Sequence, residues 1–219
     1  MEETFVGKEA ASPGVEVASG PERGPSFSEE LEVTARTDFE FVLASTSPQR
    51  CRLLSLILDN FLPEPVFVEE GHDVLANARL KAQAAQQQHP DSVIIAADTL
   101  VMLGGLTFGK PTDLVEARWM LSMLSGERHT VRTGLAVLVG EREEVRVEET
   151  VVQFRQFGRS TIDAYLATGE WVDKAGAYAI QGEGGLLVSR LEGDYYNVIG
   201  LPMVPLGEVF ARLGVVPGF

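Results

Sequence analysis

An unbroken apolar run near the middle of the chain, Val93 to Ala97, restricts the folds open to this sequence. A strand with one exposed face alternates apolar and polar residues, whereas an uninterrupted apolar run is typical of a strand covered on both faces. Asp98 and Thr99 follow the run directly. We therefore expect a buried strand that brings two polar side chains to its carboxyl end, where α/β proteins place ligand sites.

Helical and strand-like patterns alternate along the rest of the chain and predict an α/β protein with a mixed sheet. Pro48 suits a first helical turn, and Gly126 suits a helix end. The predicted helices cover residues 48–58, 74–88, 114–124, 160–167 and 206–213. The predicted strands cover residues 39–45, 93–97, 130–139, 144–154, 178–181, 186–191 and 197–199.

Residues 1–37 differ from the rest of the chain, because Glu, Gly, Pro and Ser dominate and apolar residues are scattered singly. Such a segment cannot bury enough apolar surface to offset its ordering entropy. We expect a flexible acidic tail over residues 1–37 and one folded domain over residues 38–219. The net charge of -14 argues against binding to nucleic acid, which requires a basic face.

The composition also bears on the location of the protein. No apolar stretch approaches the roughly 20 residues that cross a bilayer, and the first residues lack the features of a signal peptide. Cys51 is the single cysteine, which rules out an intramolecular disulfide and a zinc site built from cysteines. We expect a cytoplasmic protein without membrane association.

Two motifs carry residue types suited to phosphate chemistry. Ser45 and Arg50 flank the start of the first helix, where backbone N–H groups, the helix dipole and a guanidinium favour an anion. An ordinary capped helix is the alternative. Asp98 is the first candidate for a catalytic residue, since a carboxylate leaving a buried strand needs a metal or cation nearby. A carboxylate that only caps the next turn is the alternative.

Further charged residues are candidates in combination with Asp98. Glu70 is of interest because two converging carboxylates suit Mg²⁺ better than zinc, although a solvated turn is the simpler explanation of Glu69-Glu70 alone. Lys81 and Lys174 are candidate phosphate contacts, but lysines are most often solvated.

Residues 104–111 satisfy the spacing G-x-x-x-x-G-K of a phosphate-binding loop, yet two features argue against one. Pro111 stands where such a loop needs Ser or Thr to bind magnesium, and it disfavours helical dihedrals at Lys110. Lys110 remains a candidate phosphate contact in a different site.

Residues 169–185 are rich in glycine beside Asp, Lys, Tyr and Gln, which suggests backbone packed closely against a ligand or another strand, with a structural loop as the alternative. The three histidines, His72, His89 and His129, show no ligand spacing, and we expect them at the surface.

A series of motifs, taken together, resembles the Maf family of nucleotide pyrophosphatases, also called septum-formation-inhibitor-like. The motifs are LASTSPQR (43–50), NARLKAQAA (77–85), AADTLV (96–101), FGKPTD (108–113), EARWMLSMLSGERHTVRTGLAV (116–137), TGEWVDKAGAYAIQGEGG (168–185) and GDYYNVIGLPM (193–203). They occur in the family's order and span most of the chain outside residues 1–37.

The resemblance implies a Maf/Ham1-like (ITPase-like) fold, an elongated mixed sheet with flanking helices and a nucleotide cleft between two lobes. It implies a pyrophosphatase that cleaves a nucleoside triphosphate between the α- and β-phosphates, with a divalent cation, magnesium or alternatively manganese, and a homodimeric state. Asp98 would activate water and, with Glu70, hold the metal. The phosphates would contact Ser45, Arg50, Lys81 and Lys110, with Lys174 a further substrate contact suggested by the residues alone.

The segments DKAGAY and IQG are similar to the branch that acts on dTTP and UTP. Gln181 offers a donor and an acceptor that match the imide edge of thymine or uracil, and Thr99 would line the same specificity region. Two departures concern this assignment: Gln49 stands where the family usually has arginine, and the segment between Glu70 and Lys81 is shorter than the family norm. The alternatives are a nucleotide-binding cell-division regulator with little turnover and a 7-methyl-GTP or other modified-nucleotide pyrophosphatase.

Overall fold

A computed structural model describes Met1 and residues 39–215, so the predicted tail at residues 1–37 lies outside the described residues apart from Met1. The helices are α1 (Pro48–Leu54), α2 (Val74–Gln86), α3 (Leu114–Leu124), α4 (Arg159–Ala167), α5 (Tyr195–Ile199) and α6 (Met203–Leu213). The strands are β1 (Phe41–Leu43), β2 (Leu62–Pro63), β3 (Val93–Leu103), β4 (Leu106–Phe108), β5 (Arg128–Val139), β6 (Arg142–Phe154) and β7 (Val188–Glu192). Short 3-10 helices cover Ala175–Ala177 and Glu183–Leu187.

The strands form one mixed seven-stranded sheet in the order β2-β1-β3-β5-β6-β7, with β4 also paired to β3. β1 runs parallel to β2 and β3, and the remaining pairs are antiparallel. The predicted α/β class, a mixed sheet with flanking helices, is confirmed. None of the helices between residues 39 and 215 has the length and apolar composition that a membrane span requires.

β3 is covered on both faces, as its unbroken apolar run predicts. Ile94 and Ala96 pack with Ala82 and its neighbours on α2. Ile95 lies on the opposite face, in a second cluster that includes Phe210 of α6. Because successive side chains of a strand point to opposite faces, the same alternation turns Asp98 toward α2 and Thr99 away from it.

β3 extends beyond the predicted end at Ala97 and continues to Leu103, so Asp98 and Thr99 lie inside the strand. β5 pairs with one edge of β3 along nearly its full length. The other edge is shared: β1 pairs with residues 93–95, and β4 pairs with residues 101–103. On this second edge, between β1 and β4, the described chain places no strand beside Asp98 and Thr99. The opening therefore comes from a change of neighbours along β3, which the local sequence does not encode.

Two predicted strands are wrong. Residues 178–181 form a loop, in which the Ala179 N–H donates to the Tyr165 hydroxyl at 3.0 Å rather than to a neighbouring strand. Residues 197–199 belong to α5, because the Asp194 side chain accepts the Tyr196 N–H at 2.8 Å and caps this helix, which Gly200 ends at φ 119°. The prediction at residues 186–191 is right in part, since β7 starts at residue 188.

His129 is buried, and its predicted surface location is wrong. It lies on the same face of β5 as buried Val131 and Thr133, and its ring packs edge-on against Phe154. Its Nε2 lies 2.9 Å from the Tyr178 hydroxyl oxygen. Burial lowers the pKa of His129 to about 4, opposed by a backbone hydrogen bond, so the ring is neutral at neutral pH.

Candidate active site

A cleft of about 620 Å³ opens where β3 lacks a strand neighbour on one edge. Its walls come from the β1–α1 turn, the loop before α2, the middle of β3, the end of β4 and the segment around the first 3-10 helix. The structure brings every predicted site residue into the lining of this one cleft: Ser45, Gln49, Arg50, Glu70, Lys81, Asp98, Thr99, Lys110, Lys174 and Gln181.

A buried ion pair lies at the floor of the cleft. Lys81 Nζ is 2.6 Å from Asp98 Oδ1, and the side chains of these residues are 9% and 8% exposed. The same ammonium is 2.7 Å from Glu70 Oε1, whose side chain is 45% exposed at the rim. One cation thus joins a buried carboxylate to an exposed one, which gives the charge at Asp98 the partner that its burial requires.

Asn77 is a member of this network that sequence reasoning missed. Its amide nitrogen donates to Asp98 Oδ2 at 2.8 Å, and the residue is 2% exposed. Asn77 precedes Lys81 by four positions on α2, so both side chains lie on one helical face. That spacing is the signal that could have identified Asn77, since a helix that presents Lys81 to Asp98 also presents the residue one turn earlier.

The close approach of α2 to the sheet depends on Gly134. This residue lies opposite Asp98 in the β3–β5 register, and a Cβ atom there would collide with the backbone carbonyl of Val74, at the start of α2. A glycine at this register position therefore allows α2 to bring its first turns against Asp98.

Arg50 links the β1–α1 turn to β3 and α5. Its guanidinium donates to the Gly200 carbonyl at 2.8 Å, the Thr99 hydroxyl at 3.1 Å and the Ser45 hydroxyl at 3.4 Å. Burial lowers the pKa of Arg50, while the charges of Asp98 and Glu70 oppose that shift. The three hydrogen bonds position the guanidinium at the cleft wall.

Gln49 sits beside Arg50, where it brings a neutral amide to the cleft. The Ser47 hydroxyl donates to its Oε1 at 3.3 Å. The Ser45 hydroxyl in turn accepts the Ser47 N–H at 3.2 Å, so the turn is held by its own hydroxyl groups.

The opposite wall of the cleft, residues 173–181, contains an irregular backbone. Asp173 and Ala177 have positive φ values of 59° and 62°, which non-glycine residues rarely adopt. Gly176 has φ 70°, and a Cβ atom there would lie 2.9 Å from a Val101 methyl carbon. Strained residues of this kind persist where the surroundings over-determine the backbone, and they cluster at functional sites.

Two lysines line this side of the cleft, Lys174 within residues 173–181 and Lys110 just after β4. Lys174 Nζ donates to the Val172 carbonyl at 3.0 Å. Burial lowers the pKa of Lys174, and the neighbouring charge of Lys110 adds to that shift, while Asp173 opposes it. Lys110 is exposed just beyond β4, where the Gly109 carbonyl accepts the Gly176 N–H at 3.1 Å. The two cations therefore face the same part of the cleft.

The donor set fits a magnesium-type cation better than zinc. In the part of the chain that the structure describes, no group of three or more His, Cys, Asp and Glu side chains comes together to hold a metal. Glu70 and Asp98 nevertheless converge on the Lys81 ammonium. Two carboxylates are a common protein contribution to magnesium, which keeps several waters and binds substrate phosphates.

Comparison with known proteins identifies the family. The family described as "Maf-like protein" matches residues 40–213. The chain belongs to the Maf family. A curated relative from Symbiobacterium thermophilum, named dTTP/UTP pyrophosphatase, is 41% identical over 80% of this chain and 94% of the relative. One of the same name from Moorella thermoacetica is 44% identical over 80% of this chain and 96% of the relative.

The Maf resemblance inferred from the motifs is thereby confirmed. A solved structure, that of the Staphylococcus aureus Ham1 protein, aligns with a TM-score of 0.42 at 15% identity, covering 66% of this chain and 89% of that one. Within this Maf chain, the motifs that carried the resemblance are also those that line the cleft: LASTSPQR contributes Ser45 and Arg50, and AADTLV contributes Asp98.

Proposed function

We propose that this chain is a nucleoside triphosphate pyrophosphatase that hydrolyses dTTP and UTP to the monophosphate and pyrophosphate. The observation that carries the proposal is the buried Asp98–Lys81 pair on the floor of a cleft lined by further cations. The curated relatives named dTTP/UTP pyrophosphatase support the substrate class.

Asp98 is the proposed proton acceptor for the attacking water. Both of its oxygens accept hydrogen bonds, from Lys81 and from Asn77, so its contacts suit an ionised carboxylate. A carboxylate oxygen has more than one lone pair, and Asp98 can therefore accept a proton from water without leaving its partners. Its fixed position holds the base ready for a water at the cleft floor.

The cations of the cleft are the proposed phosphate contacts. Phosphoryl transfer depends mainly on positioning and on stabilising charge that spreads over the phosphate oxygens. Arg50 and Lys81 lie on the Asp98 side, and Lys110 and Lys174 lie on the opposite side. Ser45 adds a hydroxyl beside Arg50. The cleft lining carries these four cations against three carboxylates, Glu70, Asp98 and Asp173, so its charge is slightly positive although the whole chain carries -14.

A divalent cation, magnesium or manganese, is the proposed cofactor, held by Glu70 and Asp98. When bound, it would neutralise phosphate charge and polarise the oxygens that it contacts. Lys81 then has a second role, because its ammonium lies between the two carboxylates and keeps them converged.

Base selection is proposed to depend on Gln181, with Thr99 and Gln49 acting on the same end of the site. Gln181 is exposed in the cleft, so its amide is free to meet the imide edge of a pyrimidine. The Thr99 hydroxyl already contacts Arg50 and Thr133, at 3.1 and 3.0 Å. Thr99 would therefore influence the substrate mainly by holding the Arg50 guanidinium.

The remaining assignments extend this proposal to the whole protein. We propose that residues 38–219 form the catalytic domain, that it pairs as a homodimer without nucleic acid or membrane, and that it works in the cytoplasm. The single cysteine, Cys51, suits a reducing compartment, and the net charge of -14 argues against a nucleic-acid partner.

The test is pyrophosphate release with Mg²⁺ from dTTP, UTP, CTP and 7-methyl-GTP, comparing wild type with Asp98→Asn. We expect turnover of dTTP or UTP that falls roughly 10²- to 10⁴-fold in Asp98→Asn, the usual loss on removing a general base. The matched control is Asp163→Asn, which neutralises a carboxylate paired with Arg118 on the surface, outside the cleft. It should retain wild-type turnover.

Each other outcome would change a different part of the proposal. Preferred turnover of 7-methyl-GTP would replace the substrate class and keep the chemistry. Tight triphosphate binding without pyrophosphate release would contradict the enzyme and favour a nucleotide-binding regulator. Equal activity of Asp98→Asn and wild type would remove Asp98 from the reaction.

A further inference from the structure

The Asn77 side chain forms hydrogen bonds with both the Gly71 backbone and the Asp98 carboxylate. Its Oδ1 accepts the Gly71 N–H at 2.8 Å, and its Nδ2 donates to the Gly71 carbonyl at 2.9 Å. The second N–H of the same amide donates to Asp98 Oδ2 at 2.8 Å. A single buried side chain therefore connects the backbone next to Glu70 with the carboxylate on the floor of the cleft.

The two hydrogen bonds to Gly71 determine which end of the Asn77 amide faces Asp98. The Gly71 N–H requires an acceptor and the Gly71 carbonyl requires a donor, so the amide oxygen and nitrogen are assigned by the network. Reversing the amide would break both bonds to Gly71 and turn an oxygen toward the Asp98 carboxylate. The backbone of the loop before α2 therefore ensures that the Asn77 amide nitrogen, not its oxygen, faces Asp98.

We propose that Asn77 is a positioning residue that couples Asp98 to the loop carrying Glu70, so that the two carboxylates keep one spacing. This inference rests on the proposed function for its turnover and Mn²⁺ readouts, whereas hydrogen exchange at Gly71 tests the connection independently of it. Gly71 follows Glu70 directly, and the Glu70 side chain is 45% exposed. Without Asn77, Lys81 is the remaining link between the two carboxylates in the described network.

The effect of removing this amide on activity and metal affinity can be estimated. Partners that hydrogen-bond to metal-binding or catalytic carboxylates typically change affinity or activity by about 10- to 100-fold when they are removed. Asn77→Ala removes the bonds to both Gly71 and Asp98. Asn77→Asp still offers an oxygen to the Gly71 N–H but donates neither to the Gly71 carbonyl nor to Asp98, so it keeps one of the two bonds to the loop and none to Asp98.

The matched control is Gln86→Ala, on the same helix. The Gln86 amide nitrogen donates to the Gly140 carbonyl at 2.7 Å, so this variant also removes a hydrogen bond between a helix side chain and distant backbone. Gln86 lies nine positions after Asn77 on the helix, which is about 13.5 Å along the axis. Gln86 does not line the cleft.

Three quantities are measured on the full chain: kcat and KM for dTTP, Mn²⁺ binding without nucleotide by electron paramagnetic resonance, and amide hydrogen exchange at Gly71. In Asn77→Ala we expect kcat and Mn²⁺ affinity to fall about 10- to 100-fold. We expect KM to stay within about threefold and Gly71 exchange to accelerate. Asn77→Asp should lose as much kcat with a smaller change in exchange.

Wild-type kcat and wild-type Mn²⁺ affinity in a folded Asn77→Ala would overturn the positioning role. So would losses matched by Gln86→Ala, because they would reflect general stability. If Asn77→Ala does not fold, Asn77→Ser and Asn77→Asp provide the same comparison. A wild type with neither turnover nor Mn²⁺ binding would reject the proposed function, while unchanged Gly71 exchange in Asn77→Ala would overturn the connection through Asn77 whatever the function.

Discussion

The two walls of the cleft are built in different ways. On the Asp98 side, regular elements present side chains that satisfy one another: Asp98 bonds to Lys81 and Asn77, and both lie on one face of α2. On the opposite side, residues 173–181, the backbone is irregular, with left-handed residues such as Ala177, and Gln181 is exposed.

This difference separates two demands on the site. Chemistry requires charges in a fixed geometry, and a buried network on a helix and a strand provides it, since each partner restrains the next. Choice of base requires exposed groups that can be exchanged without disturbing the reacting centre. The irregular segment, anchored by Ala177 and Tyr178 in an apolar cluster, supplies such a group in the exposed Gln181. Changes on the Asp98 side should therefore cost the most.

The largest expected effect on stability is from Lys81→Met. Removing the ammonium leaves the Asp98 carboxylate, 8% exposed, without its cation. Breaking a buried pair from one side typically costs about 3 kcal/mol or more. We expect the free energy of unfolding in urea to fall by about 3 kcal/mol, and much of it to return in the double variant Lys81→Met with Asp98→Asn.

The control for Lys81→Met is Arg118→Met. Arg118 Nη2 lies 2.6 Å from Asp163, but the two side chains are 35% and 43% exposed, and such surface pairs contribute about 0.5 kcal/mol. Equal losses in the two variants would show that burial does not distinguish the pairs. The contrast between the two walls would then lose its energetic basis.

A smaller effect is expected beneath the loop wall, at His129. Its folded pKa of about 4 lies below the unfolded value near 6.5, so the unfolded chain binds the proton first as the pH falls. The contribution of His129 to stability is therefore present above pH 6.5 and is lost as the pH falls toward 4. Between pH 7.5 and 5 the loss amounts to about 2 kcal/mol.

The measurement is the difference in unfolding free energy between wild type and His129→Gln at both pH values. Glutamine does not titrate and still offers the Tyr178 hydroxyl a polar partner, so wild type should lose about 2 kcal/mol more than the variant. His72→Gln, at an exposed histidine, should follow wild type. Parallel pH curves for wild type and His129→Gln would show that burial of this ring does not govern acid stability.

Local sequence predicted the regular wall better than the irregular one. The apolar run at residues 93–97 identified a strand covered on both faces, because periodicity is a local property. The length of β3 was underestimated, since its extension to Leu103 depends on pairing with β4. The register that places Gly134 under α2 depends on tertiary packing. A glycine inside a strand indicates a close approach, but not which element approaches.

The irregular wall was recognised as unusual, but its conformation was not predicted. Residues 178–181 combine aromatic and branched residues typical of a strand, yet Ala177 at φ 62° turns the chain before them. Nothing in an alanine indicates a left-handed backbone, because that conformation is imposed by the surrounding packing. The predicted surface location of His129 was wrong for the same reason, since nothing in the local sequence indicates that a lone histidine is buried.

The smallest expected effect lies at the exposed end of the irregular wall, in Gln181→Leu. Leucine has a similar volume but no donor or acceptor, so a pyrimidine imide edge would lose its proposed partner. An exposed hydrogen bond contributes about 1 kcal/mol, which predicts a fall of roughly fivefold in kcat/KM for dTTP and UTP. The loss should be in KM, and the free energy of unfolding should stay within about 0.5 kcal/mol of wild type. Gln83→Leu, at an exposed glutamine on α2 outside the cleft, should change neither quantity. A fall in kcat of the size expected for Asp98→Asn would place Gln181 in the reaction itself and would contradict the separation of chemistry and base selection between the two walls.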